Sequence, residues 1–140
     1  MAFTARLRVR FADIDWARVV YFARFFDFAH RTFEDFFNEH AKLPYAAVLS
    51  TRKLGFPIVN SQAEFFVPLR LGDTARVVMD VTRLSKRSVT SRFTLYKDET
   101  DERCAVITLK QAAIETDGFT GIEFPDDIHA LFTAQLTSSP

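Results

Sequence analysis

Residues 3–37 read FTARLRVRFADIDWARVVYFARFFDFAHRTFEDFF. Over the first nine of these, Phe3, Ala5, Leu7, Val9 and Phe11 alternate with Thr4, Arg6, Arg8 and Arg10. A period of two over that length predicts a strand with one buried face. Ala12-Asp13-Ile14-Asp15-Trp16-Ala17-Arg18 breaks the alternation, and from Phe22 the spacing changes. Phe22, Phe25, Phe26, Ala29, Phe33, Phe36 and Phe37 recur at intervals of three and four, the pattern of an amphipathic helix of about four turns. Phe28 falls off that stripe and widens its apolar face.

Downstream the period returns to two. Leu43-Pro44 ends the helical region or opens a short second piece through Val48. Gly55-Phe56-Pro57 turns into a strand from Ile58 to Val67, and Leu71-Gly72-Asp73 turns it back. Ala75, Val77, Met79 and Val81 mark a third strand, Val89 to Tyr96 a fourth, and Cys104 to Glu115 a fifth. Pro125-Asp126-Asp127 begins a short terminal helix carrying Ile128, Leu131, Phe132 and Leu136. One strand, one long helix and four further strands argue for an α+β fold with an antiparallel sheet. One domain over residues 1–136 is expected, with a frayed tail over 137–140.

The composition excludes several classes. Lys plus Arg equals Asp plus Glu at 18 each, so no global field draws in nucleic acid or an anionic membrane. Charges interrupt every apolar segment before it reaches membrane-spanning length, and the first residues lack the apolar core of a signal peptide. Cys104 is the only cysteine, so no intrachain disulfide forms and a cytoplasmic location is expected. His30, His40 and His129 form no H-x-x-x-H pair, so no metal site is expected, and no G-x-S-x-G segment suggests a serine hydrolase.

Phe11-Ala12-Asp13-Ile14-Asp15-Trp16-Ala17-Arg18-Val19-Val20-Tyr21 resembles the aromatic-x-Asp-x-Asp-x-x-Gly-x-Val-aromatic segment of thioesterases similar to the Pseudomonas-type 4-hydroxybenzoyl-CoA thioesterase. Phe56-Pro57-Ile58-Val59-Asn60 through Phe65, Pro68-Leu69-Arg70 and Gly72-Asp73 look like that family too, as does the basic loop Leu84-Ser85-Lys86-Arg87-Ser88-Val89. The resemblance implies the hotdog fold, a five-stranded antiparallel sheet wrapped around one long helix. It also implies hydrolysis of an aromatic or short to medium acyl-CoA, with no cofactor beyond the coenzyme A of the substrate. Asp15 falls at the catalytic aspartate, the backbone N–H of Phe22 at the oxyanion contact, and Lys86, Arg87 and Ser88 at the nucleotide phosphates. Tyr21 and Asn60 are candidates for the acyl pocket. Arg18 stands where the motif has glycine, which affects the loop's backbone freedom.

A thioester carbonyl is already electrophilic, so a positioned carboxylate suffices as nucleophile or general base. No Ser, Thr, Asn or Asp stands immediately before Phe22, leaving helix N–H groups for a developing oxyanion. Plainer roles stand beside these: Asp15 and Asp13 as turn residues, Lys86 and Arg87 as solvated surface. A hotdog hydratase or dehydratase, which would need a His paired with an acid, and a non-catalytic acyl-thioester binding domain are the alternatives. Self-association as a dimer or tetramer is expected, because an edge strand such as Phe3 to Phe11 exposes unpaired backbone. Phe25, Phe28 and Trp16 add apolar surface beyond what one chain should hide. Hotdog thioesterases join their sheets edge to edge, with the catalytic loop near the partner.

Overall fold

The structure, a computed structural model, describes residues 2–137. Strand β1 (Phe3–Arg8) leads through a 3-10 turn (Phe11–Asp13) to helix α1 (Phe22–Asp35), which widens into a π turn (Phe36–His40). Helix α2 (Tyr45–Ser50) and the short β2 (Leu54–Gly55) precede β3 (Ile58–Phe65), β4 (Thr74–Leu84), β5 (Ser88–Lys97) and β6 (Glu102–Ala112). The short β7 (Ile114–Glu115) and β8 (Thr120–Gly121) are followed by α3 (Asp126–Ala134). The main sheet has the order β1-β4-β5-β6-β3 and is antiparallel throughout. It curls around α1 in the hotdog arrangement. Among the described residues no helix is long and apolar enough to cross a membrane.

Period two sorts the sheet into faces. Ala75, Val77, Met79 and Val81 of β4, with Val89, Phe93 and Leu95 of β5, are buried and share one core with α1. The buried positions of α1 are Phe25, Phe28, Ala29, Thr32 and Phe33, continued by Phe36 and Phe37 of the π turn. The expected stripe is buried except at Phe22 and Phe26. Phe28 is 1% exposed at the edge of that face and widens it, whereas Phe22, in the first turn, is 57% exposed. Phe22 is on the same side of the helix as Phe33 but in the first turn, where it lines a cavity instead of the core. Phe25 and Phe28 therefore add no exposed apolar surface, and Trp16 alone of the three expected aromatics does. Each fully buried Phe contributes about 1.5–3 kcal/mol. The ring of Phe33 meets those of Phe37, Phe56, Tyr45 and Phe132 with centroids 5.3–6.1 Å away.

The helix ends when Lys42 turns left-handed at φ 56°, and Pro44 then caps α2. Both expectations for Leu43-Pro44 thus describe one junction. The fifth strand is shorter than its apolar run. Ala113 donates to the carbonyl of Arg87 at 3.0 Å, and the chain beyond it joins β2 and β8 in a separate sheet. At the C-terminus Thr137 donates to the Val81 carbonyl at 2.9 Å and is tied to β4, not frayed. The rest of the expected tail, 138–140, lies outside the described residues.

Candidate active site

The Asp15 segment is a miniature hairpin. Ile14 and Val20 bridge antiparallel, the Asp15 N–H donates to the Val19 carbonyl at 3.0 Å, and the Arg18 N–H donates to the Asp15 carbonyl at 2.9 Å. That closure is a type I turn followed by one left-handed residue, and Arg18 is that residue at φ 68°. Arginine therefore holds the conformation that glycine adopts without steric cost. Asp15 Oδ1 accepts the Ala17 N–H at 2.8 Å, which locks the carboxyl in place. Among the described residues Oδ2 has no partner. The turn role and a chemical role are thus divided between the two oxygens of one half-buried side chain. Asp13 orders the turn only: its Oδ2 accepts the Arg10 N–H at 2.8 Å.

Two backbone bonds aim α1 at this loop. The Val20 N–H donates to the Leu69 carbonyl at 2.8 Å, and the Tyr21 N–H donates to the Asp13 carbonyl at 2.9 Å. Tyr21 is the extended N-cap residue and offers no side-chain cap. Among the described residues the N–H groups of Phe22 and Ala23 meet no acceptor. Phe22 and Asp15 border a cavity of about 390 Å³ whose walls also include Tyr21, Phe25, Phe65, Phe66 and Pro68. That size is within the usual range for small-molecule sites. The helix N-terminus adds positive potential at its mouth.

Cys104 also lines the cavity. It is the extra residue of a bulge in β6, since Leu95 pairs with Ala105 and Tyr96 with Arg103. Burial pushes its thiol up, and its Sγ contacts the Glu102 carbonyl at 3.6 Å, so it serves as wall rather than nucleophile. Phe25, Phe65, Phe66 and Cys104 were not assigned to the site from sequence. No local pattern marks them, because the cavity forms only where the end of β3 meets the start of α1. On the other flank of the Asp15 loop, Phe11 and Trp16 are 78% and 101% exposed.

The remaining expected site residues are elsewhere. Asn60 is on β3 paired with Lys110, and Ser88 begins β5, whereas the Asp15 cavity adjoins the far ends of both strands. A ten-residue strand such as β5 spans about 30 Å, so within one chain the two groups sit at opposite ends of the sheet. Lys86 lines a surface pocket with Glu123, Asp126 and His129. Arg87 lies beside Gly121. Among the described residues no three His, Cys, Asp or Glu side chains gather as metal ligands.

Known proteins place the chain further. The family model of the thioesterase-like superfamily matches residues 9–132. A 1,4-dihydroxy-2-naphthoyl-CoA hydrolase of Thermosynechococcus vestitus is 32% identical over 122 residues, covering 87% of this chain and 82% of that protein. One from Prochlorococcus marinus is 28% identical over 126 residues, covering 86% and 80%. Among solved structures, a 1,4-dihydroxy-2-naphthoyl-CoA thioesterase from Synechocystis superposes with a TM-score of 0.86 at 22% identity, covering 95% of this chain and 96% of that one. A thioesterase-superfamily protein from Jannaschia gives 0.90 at 23% identity, covering 98% and 94%. At those identities the superpositions speak for the fold alone. The sequence match over residues 9–132 makes this chain a member of the thioesterase-like superfamily.

Proposed function

We propose that this protein hydrolyses coenzyme A thioesters of aromatic acids to the free acid and coenzyme A. One observation carries the reading: Asp15, with one carboxylate oxygen free, and Phe22, the first residue of an uncapped helix, border one aromatic-walled cavity. A thioester carbonyl seated there has its oxygen at the helix N-terminus, where negative charge develops in the transition state. Asp15 Oδ2 either takes a proton from the attacking water or attacks the carbonyl itself, giving a mixed anhydride that water then opens. In both routes the C–S bond breaks and coenzyme A leaves as the thiol. The 1,4-dihydroxy-2-naphthoyl-CoA hydrolases similar to this chain make that thioester the first substrate to test. A hydratase is disfavoured, since no histidine lines the cavity. The reading carries with it a cytoplasmic location and no cofactor beyond the coenzyme A of the substrate.

The working form is a dimer joined along β3. This edge strand is exposed on both faces and carries Ile58, Val59 and Phe65, with Phe66 just beyond, each 46–57% exposed. Unpaired edges of that kind invite a second strand. Two-fold antiparallel pairing brings the Asn60 end of one β3 beside the Phe65 end of the other. The loop bearing Lys86, Arg87 and Ser88 then approaches the partner's Asp15 cavity, which resolves their separation within one chain. A thiol-release assay over a panel of acyl-CoAs tests the function. Aromatic acyl-CoAs should be turned over fastest; tight binding without thiol release would make the protein a binding domain instead.

A further inference from the structure

We propose that a groove on the outer face of the sheet, away from α1, binds the phosphate esters of the coenzyme A nucleotide through Arg83 and Lys110. The proposal rests on the coenzyme A thioester reading above, which supplies the polyanion. Cross-strand pairing runs Arg83 to Thr90, Thr90 to Lys110 and Lys110 to Asn60, so these four stand in one row over β4, β5, β6 and β3. Their strand neighbours Val89, Ser91, Leu109 and Gln111 are buried on the opposite face. By simple alternation from Val77, Met79 and Val81, Arg83 would point into the core. A bulge between Val81 and Arg83 turns it out beside Thr90 instead.

The groove, about 650 Å³, has hydroxyls and two cations among its polar lining, and no carboxylate among the described residues. Among the described residues neither Arg83 nor Lys110 has an ion-pair partner, whereas Arg76 and Arg92 on the same face are paired with aspartates. The hydroxyls of Ser85 and Ser88 are 2.9 Å apart, and Ser85 Oγ is also 3.4 Å from the Ser88 carbonyl; when Ser85 donates to the Ser88 hydroxyl, the Ser88 proton is left for a ligand. Among the described residues the Thr90 hydroxyl has no partner either. Two cations, the Thr90 hydroxyl and the Ser85–Ser88 hydroxyl pair along one groove match the acceptor oxygens of phosphate esters. Leu84 and Leu136 supply apolar wall for a base. Ser88 belongs to this groove, while Lys86 of the same loop lines another pocket, whose walls include Glu123 and Asp126.

The test titrates adenosine 3′,5′-bisphosphate into wild-type protein, Arg83→Gln/Lys110→Gln and Lys86→Gln/Arg87→Gln by calorimetry, with inorganic phosphate as the comparison anion. Urea denaturation checks that each variant is folded, and Arg83→Lys/Lys110→Arg checks that charge at the groove suffices. The expected result is binding at least about tenfold weaker in Arg83→Gln/Lys110→Gln and largely kept in the charge-preserving variant. KM for acyl-CoA should rise with it, while kcat and the hydrolysis of acyl-pantetheine, which lacks the nucleotide, stay near wild type. Undiminished bisphosphate binding by Arg83→Gln/Lys110→Gln, a loss confined to Lys86→Gln/Arg87→Gln, or equal affinity for inorganic phosphate would overturn the site. Wild-type protein that binds the bisphosphate through Arg83 and Lys110 yet cleaves no thioester would keep the groove and overturn the hydrolase. Thioester cleavage indifferent to the groove would do the reverse.

Discussion

Asp15 and Arg18 occupy the first and last corners of one turn, and each sets a testable expectation. Asp15→Asn retains an oxygen that can accept the Ala17 N–H, so the turn survives while the free carboxylate oxygen is lost. Turnover should fall at least about a hundredfold in a folded protein, the usual worth of a positioned base. Steady-state kinetics beside circular dichroism checks this; near-normal turnover would remove Asp15 from the chemistry. Asp13→Asn should affect stability more than rate, since that carboxylate only accepts the Arg10 N–H. Arg18 holds φ 68°, where a Cβ is unwelcome. Arg18→Gly should therefore stabilise the fold by about 0.5–1 kcal/mol, an increase of about 3 °C in Tm. An unchanged or lower Tm would mean that the Arg18 side chain makes stabilising contacts of its own.

At the scale of elements, α1 and α2 meet in an aromatic cluster that has a pH signature. Tyr45 opens α2 and packs against Phe33, Phe37 and Phe56. Burial, then the nearby charge of Glu34, pushes its hydroxyl up to about 12 from the ordinary 10.0. The unfolded chain thus releases this proton near pH 10 while the folded chain holds it to about 12. The stability contributed by neutral Tyr45 is complete below pH 10 and is lost between 10 and 12. Tyr45→Phe removes that loss. The difference in urea midpoint between wild type and Tyr45→Phe should shift against wild type from about pH 9 to about pH 11.5. A constant difference would show that the hydroxyl reaches water. The same cluster makes Phe33→Ala costly, about 3–5 kcal/mol, because its ring is fully buried amid four others.

For the whole molecule, the prediction concerns assembly. Both edges of the main sheet are open, but β1 alternates half-buried with exposed residues whereas β3 is exposed on both faces. The loop holding Ser88 and the cavity holding Asp15 belong to opposite ends of one chain, so activity on full acyl-CoA should require the pair. Light scattering coupled to size exclusion should show a dimer or a dimer of dimers. Specific activity should fall as dilution drives the protein toward monomer. A fully active monomer would remove both the β3 interface and the shared site.

Much of this architecture was written into local order along the chain. Whether Phe3 to Phe11 alternates, or Phe25 to Phe37 repeats every three and four residues, depends only on near neighbours. Strand and helix identities, the Asp15 turn and the unguarded start of α1 could therefore be read from residue types alone. Other features depend on partners remote in sequence and had no local signal. Tertiary packing left Phe22, on the apolar stripe but in the first turn of α1, at the cavity and outside the core. Strand order left β3 at an edge and carried Asn60 and Ser88 away from Asp15. Register decided the two bulges, one burying Cys104 in the cavity wall and one turning Arg83 outward. A single-residue offset in pairing moves a side chain from one face of a sheet to the other, and only the paired strands define that offset.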